Sequence, residues 1–308
     1  MITESPYVIC KKNGAMHQID CDYVIGCDGF HGISRQTIPD AVCSEFEKIY
    51  PFGWLFALSQ TPPVSHELMY SNQEHGFALC SMRKENLSRH YIQTPLIDQV
   101  DDWSDARFWD ELKKQILETA ADTLITRDPL EKSIVLLDSF ICELMRWRRL
   151  FLVYDAAHIV PPTGPKGLNL AVSNIHYLSE LFIVFYARED HEGLERYSKI
   201  ALARAWKGSQ FSWWMTTTLH RFPDQGVFIQ HMQEAEIAYL EMSSAAQTTL
   251  VEIMLVCGSN PAHVIGVCGE TAVGSVLSSI IVDVFEACAR TSAASKSFVL
   301  VTTSPLQP

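Results

Sequence analysis

Apolar and polar positions alternate between residues 49 and 99 through aromatic-rich runs: "YPFGWLFALSQ", "SHELMYSN", "HGFALCSMR" and "SRHYIQTPL". A period of two in such residues predicts roughly four antiparallel strands. Upstream, "PYVICKKNGAMHQIDCDYVIGCDGF" predicts a hairpin turned at Asn13-Gly14, then a strand ending at Asp28-Gly29. Downstream the period lengthens. Residues 103–121, "WSDARFWDELKKQILETAA", repeat every 3.6 positions and predict a helix with Ser104 or Asp105 near its cap. "KSIVLLDSFIC" and "RLFLVYD" read as strands, and residues 165 to about 250 as mostly helical. No internal repeat is present. From about 251 onward the chain turns rich in Ser, Thr, Ala and Val, as expected of an appended strand–helix unit or a poorly ordered tail.

The pattern makes this an α/β chain of mixed α+β character, and composition narrows its partners. With 308 residues it is long enough for two domains, and 47% hydrophobic with 19% charged residues is ordinary globular usage. A net charge of −12 argues against nucleic acid or an anionic membrane surface. The longest apolar stretch, 272–285, carries Asp283 and is too short to span a bilayer. Nine scattered cysteines without metal spacing suggest reduced thiols in a cytoplasmic protein and no metal site. The N-terminus shows no signal peptide.

Three constellations carry chemistry. In "YDAAHIVPPTGPKGLNLA" (154–171), Asp155 follows a strand and precedes a stiff turn and a helix start. There a carboxylate can bind sugar-type hydroxyls, and the helix N-terminus favours an anionic or electron-rich group. A proline-rich linker with a cap would look the same. "DGFHGISRQ" gathers Asp28, Gly29, His31 and Arg35 behind a strand, and is also compatible with a plain turn. Ser81 and Arg83 lie two apart on a strand, with Tyr70 and Tyr91 on its neighbours, which suits a carboxylate ligand or simply a solvated sheet face. "GETAVGS" (269–275) lacks the ending of a phosphate loop.

These stretches, with "DWSDARFWDELK", "LEKSI", "LERYS" and "FSWWMTTTLHRFPD", closely resemble the p-hydroxybenzoate hydroxylase family of FAD-dependent aromatic monooxygenases, from about residue 6 to about 250. The resemblance implies an FAD-binding Rossmann-like domain interrupted by a substrate sheet. Its parts would be a partial FAD-binding domain (1–44), the substrate-binding sheet (45–137), a return to the FAD-binding domain (138–175), a helical part (176–250) and a divergent tail (251–308). It implies FAD, NADPH and O2 as reactants and 4-hydroxybenzoate as substrate, and leaves a homodimer open.

Residue by residue, the resemblance assigns Ser81, Arg83 and Tyr91 to the substrate carboxylate and Tyr70 to the phenol oxygen. Pro162 would offer its carbonyl to the substrate hydroxyl. Asp28, Gly29, Arg89, Asp155, Gly167, Leu168 and Asn169 would line the flavin, while His31 and Arg35 would contact NADPH. The chain departs from the family at Tyr154 (glycine there), Asp138 (arginine), Pro165 (a small residue) and Met254 (a second active-site tyrosine). The family's opening βαβ unit with GxGxxG has no counterpart in these residues. The expectation is therefore an incomplete flavin-domain sheet with an open edge, FAD held weakly or not at all, and impaired activity. A non-catalytic remnant that binds an aromatic carboxylate, or a structural module, is the alternative.

Overall fold

The computed structural model describes residues 5–188, 190–256 and 298–302. The chain divides into two compact units. One takes Met1–Glu47, Ser139–Ser212 and Glu252–Pro308, the other Lys48–Asp138 and Trp213–Val251.

The first unit opens with β1 (Tyr7–Lys12) and β2 (Ala15–Asp20), an antiparallel pair. Asn13 and Gly14 both take positive φ, 52° and 82°, as a two-residue hairpin turn matched to strand twist demands. β3 (Tyr23–Cys27) is buried and leads into α1 (Ile33–Gln36), a single turn. β4 (Ser44–Ser59) carries the chain into the second unit, where β5 (Met69–Gln73), β6 (Gly76–Lys84) and β7 (Leu87–Pro95) follow. The expected helix is two: α2 (Asp105–Gln115), capped by Ser104 Oγ accepting from Arg107 N–H at 3.2 Å, and α3 (Glu118–Thr123).

β8 (Glu131–Glu143) returns the chain to the first unit, followed by β9 (Arg146–Trp147), β10 (Leu150–Leu152) and β11 (His158–Ile159). Then come α4 (Gly167–Arg188), α5 (His191–Glu195), α6 (Tyr197–Leu219), α7 (Val227–Met242) and α8 (Ser244–Val256), and finally β12 (Phe298–Thr302).

In the second unit the strand order is β8-β4-β7-β6-β5. Alternation explains its two cores. Leu55, Ala57, Ala78, Cys80 and Ile92 face Phe108, Trp109 and Leu112 of α2, while Phe52, Trp54, Phe56, Phe77, Leu79 and Tyr91 build an aromatic cluster on the other face. His220 is stacked within that cluster, its ring centroid 4.0 Å from Phe77 and 4.7 Å from Phe52.

The first unit's sheet runs β12-β3-β10-β9. This corrects the expectation of an open edge. β12 pairs in parallel along β3, with Phe298 opposite Tyr23 and Thr302 opposite Cys27. A run of apolar and β-branched residues, "FVLVT", has strand propensity, and an unpaired buried strand edge would leave its N–H and C=O groups unsatisfied. The stretches 269–275 and 272–285 lie outside the described residues. Among the described residues α4 is the helix long and apolar enough to cross a membrane. Its Phe182 and Phe185 instead pack edge-on to Tyr23 at 5.1 and 5.6 Å, as a core helix does.

Candidate functional site

The segment 150–169 is pinned from several directions. Val153 N–H donates to the Gly26 carbonyl at 3.0 Å, which ties the end of β10 to β3. The Tyr197 hydroxyl donates to the Leu152 carbonyl at 2.8 Å. Residues Tyr154–Ala156 form one 3-10 turn, so Asp155 sits half-buried where the strand ends. His158 is fully buried against Asn174 of α4, Nε2 to Nδ2 2.8 Å, and burial pushes its imidazole down to about 4. α4 then begins at Gly167, where an added Cβ would meet nothing nearer than Val160 at 4.0 Å, so the backbone there is open to a ligand. Leu168 is half-buried, and Asn169 and Pro162 are exposed.

Tyr154 adopts φ 60°. The left-handed region costs an L-residue about 1–2 kcal/mol and glycine almost nothing. Tyr154→Gly is therefore expected to be about 1 kcal/mol more stable than Tyr154→Ala, since both lose the ring but only alanine keeps the strain. Urea unfolding midpoints of the two variants check this, and alanine matching glycine would refute it.

Asp28 stands behind β3 in the same unit. Its Oδ2 accepts from Ser34 N–H at 2.8 Å, and the close packing admits only glycine at 32, where a Cβ would lie 2.2 Å from the carboxylate carbon. Asp28 Oδ1 is buried and has no partner among the described residues. Gly29 takes φ 74°, as the turn requires. Burial, then the negative charges of Asp155 and Asp28, push the Cys27 thiol up to about 12. A floor carrying two such carboxylates attracts hydroxyl donors and repels phosphate.

His31 is exposed, edge-on to Phe30. Arg35 lies inside the unit. Its guanidinium is 4.8 Å from the Phe30 ring and 4.5 Å from Phe140, and its Nε is 2.8 Å from Glu45 Oε1.

In the second unit Tyr70 opposes Leu79, Leu79 opposes Tyr91, and Ser81 opposes Arg89, so these side chains belong to the face of the aromatic cluster. The Arg89 guanidinium lies 3.9 Å from the centroid of Phe56 and 5.2 Å from Tyr91. Ser81 Oγ donates to the Arg89 carbonyl at 3.3 Å. Arg83 breaks the expected two-residue alternation. The register shifts between Met82 and Lys84, which leaves Arg83 as the extra residue of a bulge, exposed to solvent. Asp138 is half-buried at this unit's end.

Sequence reasoning missed the groups that hold these residues in place. Asn174 fixes His158. Lys166, 4% exposed, donates through Nζ to the Met254 carbonyl at 2.6 Å, so Met254 contributes its backbone while its side chain is exposed. His220 accepts from Trp54 Nε1 at 2.7 Å. Lys166, Tyr197 and His220 all fell within quoted motifs, but each acts across a long sequence separation, so its partner could not be read from the motif.

Residues 2–212 match the FAD binding domain family. The p-hydroxybenzoate hydroxylase of Acinetobacter baylyi is 51% identical over 248 residues, which cover 80% of this chain and 61% of that protein. The rifampicin monooxygenase of Streptomyces venezuelae is 27% identical over 168 residues, 51% of this chain and 33% of that protein. The crystal structure of p-nitrophenol 4-monooxygenase from Pseudomonas putida superposes with a TM-score of 0.65 at 14% identity, covering 82% of this chain and 62% of that one, a likeness of fold alone. This chain thus spans about three fifths or less of these relatives' own lengths. With well over half of its residues matched by the family, the chain belongs to the FAD binding domain family.

Proposed function

We propose that this chain carries the substrate sheet and the flavin-facing end of an FAD-dependent, NADPH-using monooxygenase that hydroxylates 4-hydroxybenzoate to 3,4-dihydroxybenzoate. The observation that supports it most is the polar set Tyr70, Ser81, Arg89 and Tyr91 on one aromatic face of the sheet, in a chain 51% identical to a p-hydroxybenzoate hydroxylase. Such a face suits an aromatic ring with an anionic end. The Tyr70 hydroxyl hydrogen-bonds the phenol oxygen and favours its deprotonation, which enriches the ring ortho to it. Ser81, Arg83 and Tyr91 hold the carboxylate, and Arg83 reaches it from its bulge.

The first unit fits the isoalloxazine and ribityl parts of FAD. Asp155 and the unpaired Asp28 Oδ1 accept from hydroxyl or N–H groups, and the open N-terminus of α4 at Gly167, Leu168 and Asn169 presents N–H groups to the pyrimidine end. FAD, when bound, would supply the oxygen activation that no side chain here provides, with NADPH as the reductant. His31 is the exposed group for NADPH, and Arg35 serves from the interior by shaping the Phe30 turn. The free thiols of Cys10, Cys21, Cys27, Cys43, Cys80 and Cys142 fit a cytoplasmic setting.

Two titrations test this reading. Arg83→Ala is expected to weaken 4-hydroxybenzoate binding about 10- to 100-fold, the worth of a charged hydrogen bond. Equal affinities would remove Arg83 from the site. FAD is expected to bind the 308 residues weakly, because they contain no GxGxxG turn to cradle the pyrophosphate. Stoichiometric FAD in the purified chain would refute that. Binding of the aromatic acid with no NADPH oxidation in the presence of saturating FAD would favour the non-catalytic alternative.

A further inference from the structure

In the first unit Cys43, just before β4, and Cys142, in β8, bring their sulfurs to 3.0 Å across 99 residues of sequence. Neither belongs to the site described above. Cys142 is completely buried, and its N–H donates to the Ala157 carbonyl at 2.9 Å, so its backbone is fixed. Cys43 is half-buried and opens onto a cavity of about 430 Å³ lined by Arg35, Gln36, Ile38, Asp40 and Glu45 besides itself. One sulfur is thus accessible to a small solute, and the other waits behind it.

We propose that Cys43 and Cys142 form a dithiol that hydroperoxides oxidise to an intramolecular disulfide. In the first step the Cys43 sulfur attacks one oxygen of hydrogen peroxide. An S–O bond forms, the O–O bond breaks, and one water leaves, so that Cys43 becomes a sulfenic acid. In the second step the Cys142 sulfur attacks the Cys43 sulfur. The S–S bond forms, the S–O bond breaks, and the hydroxyl leaves as water with the Cys142 proton. Together two thiols and one peroxide give one disulfide and two waters. Each sulfur loses one electron, and the peroxide gains two.

Burial, and next the hydrogen bond with Cys43, hold the Cys142 thiol above the ordinary range. That keeps Cys142 protonated and unreactive towards peroxide, so oxidation starts at Cys43. The sulfurs need to close by about 1 Å to reach the disulfide length of about 2.05 Å, and proximity makes the second step effectively unimolecular. Glu45 also lies close, the ligand atoms of all three residues falling within 4.8 Å of one another. A metal site fits less well. A tetrahedral zinc dithiolate would hold its sulfurs about 3.8 Å apart, given Zn–S bonds of about 2.3 Å. The Glu45 carboxylate is moreover already paired with Arg35 at 2.8 Å.

The test treats the reduced 308-residue chain with stoichiometric hydrogen peroxide, counts thiols after denaturation, and maps linked peptides by mass spectrometry. The expected result is a loss of two of the nine thiols and one dithiothreitol-reversible peptide pair joining Cys43 to Cys142. Cys142→Ser should instead trap a dimedone-reactive sulfenic acid at Cys43, and Cys43→Ser should leave Cys142 unoxidised. The wild-type map stands even where a variant folds poorly. Full alkylation of both residues after peroxide would overturn the proposal, as would a bond from either one to another cysteine. One zinc per purified chain, released by a thiol-directed mercurial, would also overturn it, in favour of a metal site.

Discussion

Lowering the pH from 7.5 to 5 is expected to remove about 6 kcal/mol of folding stability, through three buried histidines. Burial pushes His90 and His158 down to about 4 and His220 to about 3. An unfolded histidine titrates near 6.5, so below that pH the unfolded chain binds protons that the folded chain refuses. Stability is therefore fully present above about 6.5 and is lost as the pH falls towards the folded values. At pH 5 each histidine sits about 1.5 units below its unfolded value, worth about 2 kcal/mol. Two of the three, His90 and His220, belong to the second unit, which should weaken first. Glu111 and Glu195 are lowered from an ordinary 4.5, so their losses begin only below this window. His90 separates the effect from its neighbours. Both its ring nitrogens lack partners among the described residues, so His90→Leu strands no hydrogen bond and should shrink the pH 7.5-to-5 loss by about 2 kcal/mol. His220→Leu, in contrast, strands the buried Trp54 N–H and costs about 1–3 kcal/mol even at pH 7.5. Urea midpoints at both pH values decide this, and a pH-independent midpoint in the wild type would refute it.

What could be read in advance follows the distance over which each feature is determined. Asn13-Gly14 announces its hairpin because the turn's dihedrals are a property of those two residues. The faces of β5, β6 and β7 follow from period-two alternation, so Tyr70, Ser81 and Tyr91 could be grouped from the sequence, whereas Arg89, assigned to the flavin by resemblance, joins their face only through the strand register. The same rule failed at Arg83, because a bulge inserts one residue and local sequence carries no mark of it. The β3–β12 pairing was illegible for a different reason. It joins opposite ends of the chain in parallel, and nothing near Phe298 names its partner. The Cys43–Cys142 contact likewise depends on where β4 begins and β8 ends in space, not on any cysteine spacing. The Asp155 turn lies between. Its order of carboxylate, turn and helix is legible, whereas Asn174 and Tyr197, which hold it, come from helices that pattern alone does not place against it.

Gly164→Ala is expected to destabilise the first unit by about 2–5 kcal/mol. Two costs add. Gly164 takes φ 81°, so alanine there pays about 1–2 kcal/mol for the left-handed backbone. The new Cβ would also lie 2.5 Å from a ring carbon of Phe211. Phe211 is 1% exposed, so its ring can yield only by disturbing the core, at about 1–3 kcal/mol. The backbone is the other party that can move, and it leads directly into Gly167, where α4 presents its N–H groups. The substitution should therefore weaken FAD binding along with stability. Gly29→Ala is the matched control. Gly29 has φ 74°, but an added Cβ there meets nothing within 4 Å, so only the backbone cost of about 1–2 kcal/mol remains. Unfolding the two variants side by side in urea measures the clash as their difference. If Gly164→Ala costs no more than Gly29→Ala, Phe211 does not pack tightly against this turn, and the α4 N-terminus is not held by it.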